Sequence, residues 1–188
     1  MNNIIAKDKE HLEFLISERI NLYGFNADLN DIDISNINDL SGLFKRSQFN
    51  GDISKWNTSN VKEFSWLFYR SDFNGDISNW DTFNAESMFG MFIYSEFNQD
   101  ISKWDVSNVE NMSFMFCNSK FTKDLTNWQP LNLKRKYDIF LNCRTPIPYW
   151  AEAEDTPEEV LKFLKINKMK NDLEQFLSYK EYKDKLKI

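Results

Sequence analysis

Apolar and polar positions follow a pattern that repeats every 24 residues along most of the chain. Within one period, residues 55–59 alternate between polar and apolar, and the position of Thr58 favours β-branched residues, so the segment predicts a short strand. Residues 61–68 follow with apolar side chains at 61, 64, 67 and 68, the spacing of a short helix. One period has too few apolar groups to bury a core alone, so neighbouring periods must stack and share one.

Six sets of residues carry the repeat, each with members 24 residues apart. They are Phe25, Phe49, Phe73, Phe97 and Phe121; Asp28, Asp52, Asp76, Asp100 and Asp124; Leu29, Ile53, Ile77, Ile101 and Leu125; Ile32, Trp56, Trp80, Trp104 and Trp128; Asn36, Asn60, Asn84, Asn108 and Asn132; and Phe44, Phe68, Phe92, Phe116 and Phe140. This register predicts a solenoid of five 24-residue coils with a narrow parallel sheet. The five repeats are residues 25–48, 49–72, 73–96, 97–120 and 121–144.

Both ends of the chain carry helix signals, as the exposed ends of a repeat array require. At the N-terminus Gly24 stops a helix over residues 8–23, whose apolar face consists of Leu12, Leu15, Ile16, Ile20 and Tyr23. Near the C-terminus Thr156, Pro157 and Glu159 form a helix start, which predicts helices over 157–165 and 171–186. The predicted organisation is therefore an N-terminal capping helix at 1–24, the repeats at 25–148 and a helical cap at 149–188.

The recurring Asp and Asn residues raise the question of a metal site. Calcium-binding repeats combine several Asp with Gly in each short unit, whereas here a single Asp is followed at once by a core aliphatic residue. We therefore interpret these side chains as ladders that hydrogen-bond the turn backbone, and we predict no metal site.

Composition and charge narrow the class of partner. The chain has 188 residues, enough for one domain with terminal additions, and 16% of them are aromatic. Residues 25–119 carry 6 Lys and Arg against 14 Asp and Glu, whereas residues 120–150 carry 6 against 2. An acidic body repels phosphate backbones, so we expect a basic protein as partner and no nucleic acid. No apolar run is long enough to span a bilayer, so we expect no membrane insertion.

Candidate catalytic chemistry is sparse. The single histidine, His11, lies on the predicted N-terminal helix, and only 5 glycines occur, none in a phosphate-binding loop. Cys117 and Cys143 are too few for a disulfide framework and are expected to be reduced. We expect a protein that is not an enzyme and has no catalytic residues.

The repeat motif itself resembles a known family. The run Phe-Asn-Gly-Asp-Ile-Ser-Lys-Trp-Asn-Thr-Ser-Asn-Val at 49–61, followed by Leu67-Phe68 and its counterparts Met91-Phe92 and Met115-Phe116, is similar to the BspA-like bacterial leucine-rich-repeat surface proteins. The resemblance covers about residues 10–145. It implies an interaction module without enzymatic activity or cofactor. With the register, it predicts an α/β fold: a leucine-rich-repeat-like solenoid of five coils, with short parallel strands, short helices and helical caps at both ends.

Residues that break the repeat are the candidates for partner binding, because the repeat itself does not require them. Large rings stand where other repeats have glycine, serine, lysine or arginine, and exposed rings of this kind are typical of binding hot spots. These rings are Trp66, Tyr69, Phe83, Phe89, Tyr94 and Phe114. Burial by local repacking is the equally open alternative. The outward positions of the predicted strands, among them Asn57, Asp81 and Asp105, form a second candidate strip.

Two functions fit these features. The first is a cytosolic inhibitor or toxin-immunity-type protein that covers a basic partner, such as a toxin or nuclease domain. The second is a bacterial surface adhesin or host-binding repeat protein. The N-terminal residues resemble no export signal, so we expect a cytoplasmic protein; a longer native chain with such a signal would place it at the cell surface. We expect the chain to be monomeric on its own.

Overall fold

The computed structural model describes residues 3–151. They contain strand β1 (Ile4–Ile5), helix α1 (Lys9–Tyr23), strand β2 (Ile32–Asp33) and a 3-10 helix at Tyr149–Ala151. Strands β1 and β2 pair in parallel, with Ile4 opposite Ile32. The remainder of this part of the chain consists of turns and extended segments.

Helix α1 forms where the sequence predicted it. The Asp8 side chain caps its first turn by accepting a hydrogen bond from the His11 amide at 2.8 Å. At the other end Gly24 adopts a left-handed φ of 80°, and its amide donates to the Ile20 carbonyl at 2.8 Å. Leu12, Leu15 and Ile16 are buried, but Tyr23 is 69% exposed and does not belong to the buried face.

The predicted fold class is wrong. An α/β, leucine-rich-repeat-like solenoid of five coils with short strands and helices does not match residues 3–151, which hold one α-helix, two strands of two residues and one 3-10 turn. The predicted N-terminal helix is present as α1, and nearly all of the predicted C-terminal cap lies outside the described residues. Between repeats, the described chain forms isolated parallel bridges in place of a continuous sheet. They run from Asp39 to Glu63, then to Ser87, Asn111 and Arg135.

Hydrogen bonding explains why the predicted strand and helix do not form. In the predicted strand, the Trp56 amide donates to the Ile53 carbonyl at 3.2 Å and the Thr58 carbonyl accepts from the Val61 amide at 2.9 Å, so both groups are used in turns. In the predicted helix, the amides of Phe64, Trp66 and Phe68 donate to carbonyls of the next repeat and make no α-helical bonds. The apolar spacing at 61, 64, 67 and 68 therefore reflects a series of tight turns whose alternate amides point to the neighbouring repeat.

The core is organised by aromatic rings that stack between residues 24 apart, with buried Leu, Ile, Val and Met side chains beside them. One row of rings, from Phe44 to Phe140, has centroid separations of 5.4–5.8 Å. A second row, from Phe49 to Phe121, has separations of 6.1–6.3 Å. These separations lie within the range in which aromatic pairs attract beyond simple burial of area.

Tryptophans form a third row that also carries polar contacts. Trp56, Trp80, Trp104 and Trp128 stack at 6.3–6.4 Å. Each indole N–H donates at 3.0–3.1 Å to a carbonyl 27 residues earlier. Trp150 extends the row, stacking on Trp128 at 6.0 Å with its N–H donating to the Leu125 carbonyl at 3.2 Å. The row therefore joins every repeat to the preceding one and continues past the last.

The chain divides into two compact units, Met1–Glu154 and Asp155–Ile188. The second unit lies outside the described residues, as do the predicted helices at 157–165 and 171–186. The domain boundaries expected from the sequence remain predictions.

Candidate partner-binding surface

One edge of the repeats is a row of tight turns, which share a hydrogen-bond scheme in the second, third and fourth repeats. We call this edge the turn face; it comprises residues 57–60, 81–84, 105–108 and 129–132. In the third repeat the Asp81 carboxylate accepts from the Phe83 amide at 3.1 Å, and in the fourth Asp105 accepts from the Ser107 amide at 2.9 Å. Asn108 then donates to the Phe83 carbonyl at 2.8 Å, which joins the two turns. The backbone on this edge is therefore fixed by bonds within and between repeats.

The aspartates that head each repeat act in the same way on a neighbouring edge. The carboxylates of Asp28, Asp52, Asp76, Asp100 and Asp124 accept from the amide two residues later at 2.8–2.9 Å. The interpretation of these side chains as structural ladders is confirmed. Among residues 3–151, no group of three or more His, Cys, Asp or Glu is placed to hold a metal ion.

Five of the nine predicted binding residues are exposed. Asn57, Asp81 and Asp105 lie on the turn face with exposed side chains. Phe83, on the same face, is 53% exposed, and Tyr94, on a different edge, is 44% exposed. Hydrogen bonds from the Ser107 side chain and backbone lower the pKa of Asp105, so this carboxylate is charged at neutral pH. The turn face thus presents one large ring beside two carboxylates.

The other four predicted residues are buried. Trp66, Tyr69, Phe89 and Phe114 are between 1% and 7% exposed, so their rings lie inside the fold and not on its surface. Edge-to-face contacts connect Trp66 to Phe89 at 4.8 Å, Phe89 to Phe114 at 5.9 Å and Phe114 to Tyr137 at 5.3 Å. We call Trp66, Phe89, Phe114 and Tyr137 the aromatic ridge. Their burial agrees with the alternative that local repacking places these rings inside the fold. Their role in partner binding stays a prediction.

Backbone conformation explains the spacing along the aromatic ridge. Gly42, Trp66, Gly90 and Phe114 occupy equivalent positions, and all have φ between 59° and 67°. This region suits glycine and strains a bulky residue. A Cβ on Gly90 would lie 3.1 Å from the Trp66 ring, so the glycine leaves room for the indole of the preceding repeat. The ridge therefore places one ring in each of the second to fifth repeats, and Trp66 lies opposite Gly90 of the next repeat.

Two features of the surface were not predicted from the sequence. Leu131 is 77% exposed at the turn-face position that Phe83 occupies two repeats earlier, and only comparison with the serines of other repeats would have revealed it. On another edge, the Arg70 guanidinium lies 5.5 Å from the Tyr69 ring and 5.0 Å from the Tyr94 ring. Arg46 lies 5.7 Å from the Tyr69 ring. Tyr94 is therefore part of a cation–π cluster.

A polar row crosses the fold between helix α1 and the middle repeats. The Lys9 ammonium contacts the Asp39 carboxylate at 3.1 Å and the Ser41 carbonyl at 2.6 Å. Further along, the Ser65 hydroxyl contacts the Glu63 carboxylate at 3.2 Å and the Ser87 hydroxyl at 2.8 Å. Burial, together with nearby negative charges, raises the pKa of Glu63. This row lies along the isolated bridges, so its side chains interact between repeats and not with solvent alone.

The candidate reactive groups do not come together. Burial raises the pKa of the Cys117 thiol to about 12, which keeps it protonated and unreactive. Cys117 and Cys143 are both free thiols, as the sequence predicted. The His11 ring accepts a hydrogen bond from the Lys7 amide at 3.2 Å on helix α1.

These features define a protein built of stacked 24-residue repeats with one fixed, acidic and partly aromatic edge. A family model described as "Mycoplasma protein of unknown function, DUF285" matches residues 16–128, 61–150 and 93–176. The chain therefore belongs to the DUF285 family. No curated protein and no solved structure matches it. No helix among residues 3–151 is long and apolar enough to cross a membrane.

Proposed function

We propose that this protein is a non-catalytic module that binds a basic partner protein through its turn face. The observation that carries the proposal is the exposed Phe83 ring beside the exposed carboxylates of Asp81 and Asp105. Aromatic residues in fixed surroundings are typical of binding hot spots, and an acidic surface attracts a basic partner at long range. In its specific form the proposal is a cytosolic inhibitor or immunity-type protein whose partner is a toxin or nuclease domain.

Fixation of the turn backbone supports this role. The Phe83 amide and carbonyl both have partners, Asp81 and Asn108, so the ring is presented without a loop that must become ordered on binding. Association then loses less conformational entropy than binding by a mobile loop. Within residues 3–151, neither Asp81 nor Asp105 forms an ion pair, so both charges are available to a partner.

The test is affinity capture from native lysate with the full chain and with variants F83S and D81N. Serine is the residue of three other repeats at the position of Phe83, so F83S should fold. We expect the wild type to retain a basic protein at low salt and to release it as the salt concentration rises. F83S should retain at least about fivefold less of that protein. D76N, which alters an exposed carboxylate off the turn face, is the control. Equal retention by all variants would contradict the proposal, as would a partner without basic character.

A second candidate rests on the repeat motif. Its similarity to BspA-like surface proteins favours an adhesin or host-binding repeat protein. Brief protease treatment of intact native cells separates the two roles, because it removes a surface protein and spares a cytosolic one. We expect the chain to survive; its loss while a cytosolic marker survives would favour the adhesin.

A further inference from the structure

The turn face carries a notch between its two exposed apolar side chains. Phe83 in the third repeat and Leu131 in the fifth occupy equivalent positions, and the smaller Ser107 lies between them in the fourth. The order is fixed by hydrogen bonds: Asn108 donates to the Phe83 carbonyl, and the Asn132 amide donates to the Ser107 carbonyl at 3.1 Å. Two exposed apolar walls therefore flank a polar floor.

The spacing of the repeats makes the notch wide enough for one side chain. Two repeats span about 10 Å at the parallel bridges, by ordinary strand spacing, and about 13 Å at the tryptophan row, whose rings stack 6.4 Å apart. A methylene chain midway between the walls would then lie about 5–6 Å from the centre of each, within about 2 Å of the contact distance of carbon atoms.

The charge of the notch selects among such side chains. Asp105 accepts from the Ser107 amide at 2.9 Å, which places its carboxylate at the floor. Asp105 is exposed and forms no ion pair within the described part of the chain. A ligand for this site has an aliphatic stem and a cationic end, as the side chains of lysine and arginine do.

We propose that the notch between Phe83 and Leu131 binds a lysine or arginine side chain of the partner, with its stem between the two walls and its cation on Asp105. This inference rests on the proposed function, because it names the chemistry that the turn face recognises. The Phe83 ring adds a cation–π contact at the rim of the notch.

NMR titration of the full chain tests the inference, since one side chain gives only weak binding. The probe is a blocked glycine–serine peptide with a single central lysine, and matched peptides carry arginine, norleucine or glutamate there. We expect the lysine and arginine peptides to shift the amide signals of Asp105, Ser107 and Leu131. Norleucine, which keeps the stem and loses the charge, should bind about fivefold more weakly, and glutamate should not bind.

Variants identify the groups responsible. D105N should weaken lysine-peptide binding about fivefold, and F83S and L131S about threefold each, whereas D76N should leave it unchanged. D76N is a matched control because Asp76 accepts from the Ser78 amide at 2.9 Å in the same kind of turn. Unchanged binding by D105N would overturn the inference, as would equal binding of norleucine and lysine.

Two further outcomes also overturn it. Shifts at the notch that grow with protein concentration, without peptide, would mean that a second copy of the chain fills it. In the second outcome, no peptide shifts the amide signals, yet F83S still loses the basic partner in affinity capture. That result would refute the lysine site alone and leave the proposed function standing.

Discussion

Replacing Trp104 with phenylalanine should measure what the tryptophan row contributes to stability. Trp104 lies in the middle of that row, 4% exposed, with its ring 6.4 Å from both Trp80 and Trp128. Its indole N–H donates to the Ile77 carbonyl at 3.0 Å, and that carbonyl also accepts from the Trp80 amide at 3.2 Å. The substitution W104F therefore removes one of two hydrogen bonds and leaves no carbonyl without a partner.

The expected loss follows from these contacts. A hydrogen bond to an acceptor that keeps another partner contributes about 1 kcal/mol. The smaller ring gives up buried area and part of two stacking contacts, about 1 kcal/mol more. W104F should thus lower the free energy of unfolding by about 2 kcal/mol, measured by urea denaturation with circular dichroism and an unchanged m-value.

The neighbouring exposed Lys103 provides the control, since K103A should change stability by less than about 0.5 kcal/mol. If W104F were no more destabilising than K103A, the row would be a consequence of the fold and not a source of its stability. A loss above about 4 kcal/mol would equally refute the reasoning, because it would require an unpaired carbonyl or a large cavity.

Three further predictions use other contacts. A Cβ on Gly51 would lie 2.0 Å from a backbone carbonyl oxygen, whereas one on Gly75 would meet mainly a phenyl ring at 2.8 Å. In urea denaturation, G51A should therefore lower the free energy of unfolding by about 2 kcal/mol or more and G75A by about half as much. Equal losses would contradict this prediction. Because the pKa of Glu63 is raised, its charge opposes folding above that pKa, so E63Q should raise the thermal midpoint at pH 7 but not at pH 4. The comparison variant E96Q, at an exposed glutamate, should change the midpoint little at either pH. Hydrogen bonds from Ser102 lower the pKa of Asp100. This carboxylate therefore contributes stability that is present above its unfolded pKa near 4 and is lost as pH falls further. D100N should flatten that decline in acid titrations followed by circular dichroism.

The 24-residue register predicted which residues meet, but not the backbone that brings them together. Phe68 and Phe92 stack as their spacing implies. The helix expected around Phe68 is absent because Trp66 and Arg70 both adopt positive φ, which ends any helical run between them. Glycine at positions 42 and 90 was the sequence signal for this conformation, and the aromatic substitutions at the equivalent positions concealed it.

The candidate surface was predictable only in part, for a similar reason. Phe83 and Phe89 both replace serine and lie six residues apart, yet one is 53% exposed and the other 1%. Substitution of a small residue by a ring shows that a position is unusual, but not whether it faces solvent. Phe89 is followed by Gly90, which leaves space for a neighbouring ring, whereas Phe83 follows a turn-capping aspartate by two residues. These local contexts separate the two cases.

The aromatic ridge constrains how genes of this kind can change length. Stacking and ladder contacts repeat every 24 residues, so an in-frame loss of one repeat by recombination would preserve them. At the position of Trp66, the first four repeats alternate between glycine and an aromatic residue, with a period of 48, and the fifth repeat carries Asp138. Loss of the 24 residues around Gly90 would bring Trp66 beside Phe114, where two large rings compete for the space that the glycine now leaves. Among the first four repeats, a loss that avoids this clash therefore removes a pair of repeats.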